Sequence, residues 1–450
     1  MGANIYPRII VSPPGPNARE IVKRDVSVVS PSYSRFYPLV IKAGKGCIVI
    51  DVDGNEYIDF NSGYLCLNVG HCHPNVTSAI KKQCDLFLHY SASKFYYEEL
   101  VTLAERLTEI SPIKSGNKIS FCNSGSETIE TAIKLMRWHT RKPLFIGFIN
   151  AFHGSIGMGA LAFTSNMPVQ RRYFSPFMPG VINVPYPYCY RCPFKQTYPS
   201  CHYWCVDFIE EFVLQKYAPP EDVAAILFET IQSEGGLIVP PPEYFQRLKK
   251  LADKYGLLLV DDEIKTGVGR TGKWFAIEHW NVEPDVLCTA DSLASGLPLG
   301  AVITKEKVMD WVGGSHSSTV GGNPVACAAA LAVIDVIREE RLLENATKQG
   351  TYIMKRLEEL RESCTVVGDI RGKGLMLGIE IVNAYENNKP SKEKAHEIII
   401  RSWKHGVILS YCGASTVVIA PPLNISRDLV DSAMDIVENV VKDVEKEDKA

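Results

Sequence analysis

The chain is written in two hydrophobic rhythms. The stretch IVIDVDGNEYIDF (48–60) alternates apolar and polar positions around Asp53-Gly54, the pattern of a β-hairpin. Beyond it, short apolar runs closed by turn residues alternate with amphipathic stretches of roughly ten to eighteen residues. The runs are KISFCN (118–123), LFIGFIN (144–150), AAILFE (224–229), LLLVDDE (257–263), DVLCTA (285–290) and GAVITK (300–305). Between them, residues 127–139, 206–216 and 243–254 carry helical spacing. Runs that are apolar on both faces, separated by helices, predict an α/β fold with a mostly parallel central sheet. After Gly321-Gly322-Asn323-Pro324 the pattern predicts a long helix to about residue 339, strands near 374–381 and 407–409, and a last helix near 428–443. The first forty residues, rich in Pro and Ser, read as an extended arm, and VEKEDKA (444–450) as a solvated charged tail. The domain division expected is 1–66 (arm and part of a small domain), 67–322 (large domain) and 323–450 (smaller α+β domain).

Composition narrows the partners without naming the chemistry. With 48 Lys plus Arg against 51 Asp plus Glu, the net charge of −3 argues against nucleic acid or an anionic membrane as main partner. No apolar stretch approaches the roughly eighteen residues of a membrane span. The N-terminal MGANIYPRIIVSPPGP has Pro where a signal peptide needs an unbroken apolar core. It begins Met-Gly but has Tyr6 where myristoylation requires Ser or Thr. A cytoplasmic protein of enzyme size is expected.

Nine of the thirteen cysteines are scattered singly and read as small buried hydrophobes. The other four, Cys189, Cys192, Cys201 and Cys205, fall in a Tyr- and Pro-rich insertion near 185–206. Two close pairs across a short loop suit a structural zinc held by four thiolates. Two disulfides are the rival if the source is a hyperthermophile, and free thiols the third reading.

In an open α/β sheet, ligands sit at the carboxyl ends of the strands, and four residue groups fall there. Asn123-Ser124-Gly125-Ser126-Glu127 opens a helix and can cradle a phosphate with its free amides, though the same text also serves as a plain N-cap. Ala151-Phe152-His153-Gly154 brings an aromatic and an imidazole. The loop from Glu229 to Gly236, ETIQSEGG, brings two carboxylates and an amide. Asp261-Asp262-Glu263 is a run of carboxylates that a buried strand tolerates only with partners. Metal ligation is one reading of these acids, but no His lies near them in sequence.

Together and in this order, these groups resemble the class III (ω-amino-acid) family of pyridoxal-phosphate-dependent aminotransferases. The resemblance is carried by NVGHCHP (68–74), FCNSGSETIETAIK (121–134), FHG (152–154), DDEIKTGVGRTGKWFAIEH (261–279), SGLPLGAV (295–302), STVGGNPVACAAALA (318–332) and RGKGLMLGIEI (371–381). The arm is similar to archaeal members of the 4-aminobutyrate type. The resemblance implies a fold-type-I architecture and a homodimer. It implies that Gly125 and Ser126 bind the cofactor phosphate and that Phe152 stacks on the ring with His153 beside it. Asp262 would pair with the pyridine nitrogen and keep the ring an electron sink, and Thr319 would reach the phosphate of the neighbouring subunit. Glu229 and Glu234 match the acids of the family's EPIQGEG loop.

The pattern departs from the family at three places, each pinned by its flanks (ASGLPLGA, TGVGRTGK, IAPPL). The position of the cofactor-bearing lysine is Asp291, and a carboxylate cannot condense with an aldehyde. The glutamine expected against the cofactor's phenolic oxygen is Lys265. The arginine that grips the substrate carboxylate, and pairs with the second loop acid, is Val418, so Glu234 is left without its expected cation. The resemblance therefore implies a scaffold without normal transaminase activity, whose pyridoxal phosphate is non-covalent and weakened by the nearby anion. One alternative is an active ω-amino-acid aminotransferase or related racemase that uses Lys265 in place of the missing lysine, acting on an amino acid and a 2-oxo acid. Another is a non-enzymatic cofactor-binding or structural homodimer. Against the first alternative, Lys265 and Asp291 facing one pocket would form an ion pair, and a charged lysine is a poor nucleophile.

Overall fold

The computed structural model describes residues 6–114 and 116–448. Its centre is a seven-stranded sheet in the order Asn117–Cys122, Gly300–Lys305, Val286–Thr289, Leu258–Asp262, Val223–Glu229, Leu144–Phe148, Val181–Val184. Gly300–Lys305 runs antiparallel to both neighbours and every other pair is parallel. All six apolar runs of the sequence supply strands. The seventh, Val181–Val184, is a short, half-buried edge strand with too few apolar positions to stand out.

The apolar runs are continuous because both faces of the sheet are covered. All seven residues of Val223–Glu229 are buried. On one face Ile129, Ile133 and Met136 of the helix Gly125–Thr140 pack with Phe145, Leu227 and Val260. On the other, Phe245 and Leu248 of the helix Tyr244–Tyr255 pack with Ile226 and Phe228. The Ala-rich helix Pro324–Glu339 leads into a second sheet, Val367–Lys373, Met376–Asn383, Thr416–Ile419 and Ser410–Cys412. Three helices, Leu342–Ser363, Lys392–Lys404 and Arg427–Asp448, accompany it. The predicted hairpin pairs Ile48–Asp51 with Glu56–Asp59, and Val407–Ile408 joins its outer edge in parallel. The first and last thirds of the chain thus share one small sheet.

Several expectations are corrected. The arm contains a helix, Pro16–Val28, with Pro at its first position. Its first amides, Asn17 N and Ala18 N, donate to the carboxylate of Asp53 at 2.9 Å each, so its cap comes from the hairpin and not from its own sequence. Segment 206–216 is a short α-helix, Trp204–Phe208, running into a π-helical stretch, Ile209–Leu214. The charged tail begins inside the last helix: Val444 is buried, and Glu445 accepts from Val366 N and Thr365 Oγ1, both at 2.9 Å. The N-terminal Met-Gly and the last two residues of that tail lie outside the described residues. Among the described residues, no helix is long and apolar enough to cross a membrane.

The cysteine cluster also departs from the zinc and disulfide expectations. Cys189, Cys192, Cys201 and Cys205 line one small apolar pocket, and all four are free thiols. Among the described residues, no group of three or more His, Cys, Asp or Glu is placed to hold a metal. Burial, reinforced by the neighbouring thiols, pushes Cys205 up to about 12 and Cys189 to about 11. The insertion is anchored by other means. Tyr188 Oη and Arg191 Nε both donate to the buried carboxylate of Glu380, and Arg191 also donates to Asn388 O at 2.7 Å.

One buried side chain ties the three parts together. Arg270 has no exposed surface. Its guanidinium donates to Ser62 Oγ (3.1 Å) in the N-terminal part, to Asn68 Oδ1 (2.5 Å) at the start of the large one, and to Leu375 O (3.2 Å) and Pro421 O (2.5 Å) in the C-terminal part. Burial lowers its pKa to about 10, so it is still charged at neutral pH. Arg270→Met should cost about 3 kcal/mol or more, because several buried acceptors lose their donor together. Urea unfolding would measure it, and a loss under about 1 kcal/mol would mean that the three parts hold together without this residue.

Candidate functional site

The parallel strands Val223–Glu229, Leu258–Asp262 and Val286–Thr289 end level with one another, with Glu229 beside Asp262 and Asp262 beside Cys288. At this edge lies a partly open cavity. Ser124–Ser126, Phe152–Gly154, Glu229, Asp262, Lys265 and Asp291 all line it.

One wall is a helix start. Ser124 Oγ accepts from Glu127 N at 3.3 Å, and Glu127 Oε2 accepts from Asn123 N at 2.8 Å. This reciprocal cap leaves the first-turn amides of Gly125 and Ser126 without helical acceptors, where the helix dipole favours an anion. Gly154 closes against this turn at φ +117°, where a Cβ would lie 2.2 Å from Ser126 Oγ, so only glycine fits.

The floor is polar and buried. His153 Nδ1 lies 2.7 Å from Asp262 Oδ2, and Ile264 N donates to Asp262 Oδ1 at 3.0 Å. His153 Nε2 is buried without a partner among the described residues. Glu229 fixes two loops at once: Phe152 N donates to Oε1 (2.9 Å), while Ser233 N and Oγ donate to Oε2 (2.8 and 2.9 Å). Burial pushes Glu229 up to about 7; His153 and the two amides oppose the shift, and Asp262 adds to it. The other two strand-end acids are not part of the cavity wall. Asp261 accepts from Thr230 Oγ1 at 2.7 Å, and Glu263 from Ile277 N at 2.8 Å and from Thr266 Oγ1. Burial drives both upward, Glu263 to about 7, and the charge of Glu263 adds to the rise at Asp261.

Opposite this floor, Lys265 Nζ donates to Asp291 Oδ2 at 2.9 Å, with side chains 15% and 26% exposed. Burial alone would lower the lysine's pKa. The carboxylate of Asp291, with Cys66 and Glu234 nearby, more than offsets burial and holds the ammonium above the usual lysine range. The same ammonium lies 5.0 Å from the ring centre of Tyr64, whose Oη donates to Glu234 Oε1. Glu234 is therefore not without a cation: Lys265 lies within its electrostatic reach.

Glu234, Thr319 and Val418, all singled out by sequence, lie outside the cavity wall. Thr319 is exposed on the loop before the helix Pro324–Glu339. Val418 is buried in Thr416–Ile419, opposite Gly378 and Ser410. Tyr64 escaped the sequence reading because no spacing marks it; a long-range fold brings it to Glu234. Arg371 opens the motif RGKGLMLGIEI. It donates to Gly236 O (2.9 and 2.7 Å) and Thr416 Oγ1 (3.0 Å) and pairs with Glu380 (2.8 Å), which ties the ETIQSEGG loop to the second sheet.

The amide cradle, the aromatic beside it and the buried carboxylate suit a phosphorylated aromatic cofactor. The class-III aminotransferase model matches residues 28–441. An alanine/serine racemase of Pyrococcus horikoshii is 40% identical over 97% of this chain and 93% of its own. An acetylornithine aminotransferase of Methanosarcina mazei is 37% identical over 93% of this chain and 95% of its own. The solved PLP-bound amine transaminase from an uncultivated Pseudomonas species superposes with a TM-score of 0.85 at 30% identity, covering 92% of this chain and 98% of its own.

The position of Glu229 has a pH signature. Its folded pKa lies near 7 against 4.5 for a free glutamate, so the folded state holds a proton that the unfolded chain releases. Its contribution is therefore lost as pH rises from about 4.5 to about 7. Glu229→Gln removes that titration. The stability difference between variant and parent should move in the variant's favour by up to about 3 kcal/mol across this window, whatever constant offset the amide brings. Chemical unfolding at several pH values would read it, and a flat difference would mean that Glu229 is ionised throughout.

Proposed function

Because the chain belongs to the class-III aminotransferase family, we propose that it keeps the family's cofactor site but not its covalent chemistry. Members of this family are pyridoxal-phosphate-dependent. The cofactor is held here without a covalent link, and the chain does not run normal transamination. The ion pair between Lys265 and Asp291 carries this reading. It keeps the one lysine of the cavity wall charged and therefore unable to attack a carbonyl.

The roles of the residues follow from their chemistry. The amides of Gly125 and Ser126, at a helix N-terminus, take the phosphate. Phe152 covers the ring, and Asp262, oriented by His153, meets the pyridine nitrogen. When bound, the cofactor supplies an electron sink. Lys265 would lie toward the phenolic oxygen. Asp291, in place of a lysine base, neither links to the aldehyde nor shuttles the α-proton of a substrate. Val418 offers no charge to a substrate carboxylate, and Glu234 is held by Tyr64 and Lys265. Thr319, exposed on its own chain, would complete the phosphate site of a second copy, so the working unit is a homodimer, acting in the cytoplasm. The weakening of the cofactor comes from the added anion at Asp291.

The rival reading is an active aminotransferase or racemase that uses Lys265, and one experiment separates the two. Pyridoxal phosphate is added, the mixture is reduced with borohydride, and the peptides are mapped. An aldehyde spectrum with Lys265 unmodified is expected; a reduced adduct on Lys265 would overturn the proposal. Combining Asp291→Lys, Lys265→Gln and Val418→Arg should raise turnover of an amino donor by at least about 10²-fold over the parent, the scale of a restored general base.

A further inference from the structure

The Lys265–Asp291 pair occupies only one oxygen of the aspartate. Oδ2 accepts from Lys265 Nζ, while among the described residues Oδ1 has no hydrogen-bond partner. Asp291 is part of the cavity wall, and its backbone is fixed in the left-handed region at φ 49°, with its carbonyl accepting from Gly296 N at 3.2 Å. A carboxylate oxygen at a cavity wall is satisfied by a donor and repelled by a second acceptor.

Resting on the reading above, with the cofactor's reactive carbon toward Asp291, we propose that this aspartate selects the amine form of the cofactor, pyridoxamine 5′-phosphate, over the aldehyde form. An aldehyde oxygen offers a carboxylate only lone pairs. The aminomethyl group at neutral pH is an ammonium, with three N–H donors and a positive charge, and it completes Oδ1 without displacing Lys265 from Oδ2. The charge balance runs the same way. The wall already carries the carboxyl groups of Glu229, Asp262 and Asp291, with Glu234 close by, against the ammonium of Lys265 and the imidazole of His153. The amine form brings one negative charge fewer into this setting than the aldehyde form. The site therefore belongs to the amine state of the cofactor rather than to the carbonyl state.

Binding is measured without turnover, by titration calorimetry of the full-length chain at pH 7.5. The three probes are pyridoxamine 5′-phosphate, pyridoxal 5′-phosphate and pyridoxine 5′-phosphate, whose neutral alcohol can form no covalent link. The amine should bind about 10- to 100-fold more tightly than the alcohol, the range of one charge-assisted hydrogen bond. Asp291→Asn should bring that ratio close to one, with the alcohol's affinity unchanged or raised, because the variant removes an anion that repels the phosphorylated ligand. Equal binding of amine and alcohol by the parent, or a ratio that Asp291→Asn does not move, overturns the selectivity and leaves the cofactor reading standing. Failure of the parent to bind any of the three overturns the cofactor reading itself.

Discussion

A single buried guanidinium sets the relation of the parts. Arg270 comes from the segment that follows the central strand Leu258–Asp262, yet its donors end on Ser62 and Asn68 before the large sheet and on Leu375 and Pro421 after it. A charge with no exposed surface is costly unless acceptors surround it; both Nη atoms find theirs, though Nε has none among the described residues, so the surrounding segments must hold their places for it to be tolerated. The cavity depends on that arrangement. Lys265 lies five residues upstream of Arg270, and Tyr64, which contacts it, two residues downstream of Ser62. Holding these segments together sets the N-terminal Tyr64 beside Lys265, which lines the cavity.

Within the cavity, the groups fall into two acid–base pairs with different surroundings. His153 and Asp262 are fully withdrawn from water, so their relative orientation is set by packing and by Ile264 N and Thr164 Oγ1. Lys265 and Asp291 sit closer to solvent, with less around them to fix their partners. The first pair suits a permanent structural task, namely presenting a carboxylate in one direction. The second is the one that can take on a further partner when a ligand arrives, because it is only half-buried and Lys265 occupies one aspartate oxygen.

Much of this was legible in the sequence. The six apolar runs became strands because a sheet covered on both faces demands unbroken apolar text, and the residue groups after them met in one cavity because parallel strands end on one side. What escaped has a common physical cause: it depends on partners remote in sequence. The helix Pro16–Val28 is capped by Asp53, and the final helix extends because Glu445 finds Val366 and Thr365. Tyr64 and Arg371 became site-relevant only through tertiary contacts that no local spacing encodes. The cysteine cluster shows the opposite case: among the described residues nothing is placed to hold a metal there. Its spacing invited a metal, whereas the insertion draws its order from aromatic packing and from Glu380.

Glu380 is a shared acceptor. Tyr188 and Arg191 from the insertion reach it, and so does Arg371, which also holds the carbonyl of Gly236 in the loop that carries Glu234. Three segments far apart along the chain therefore read the sign of one carboxylate. Over evolutionary time they cannot drift separately. A charge change at position 380 asks for answering changes in the insertion, the second sheet and the loop beside the cavity, so these segments should be inherited as a block.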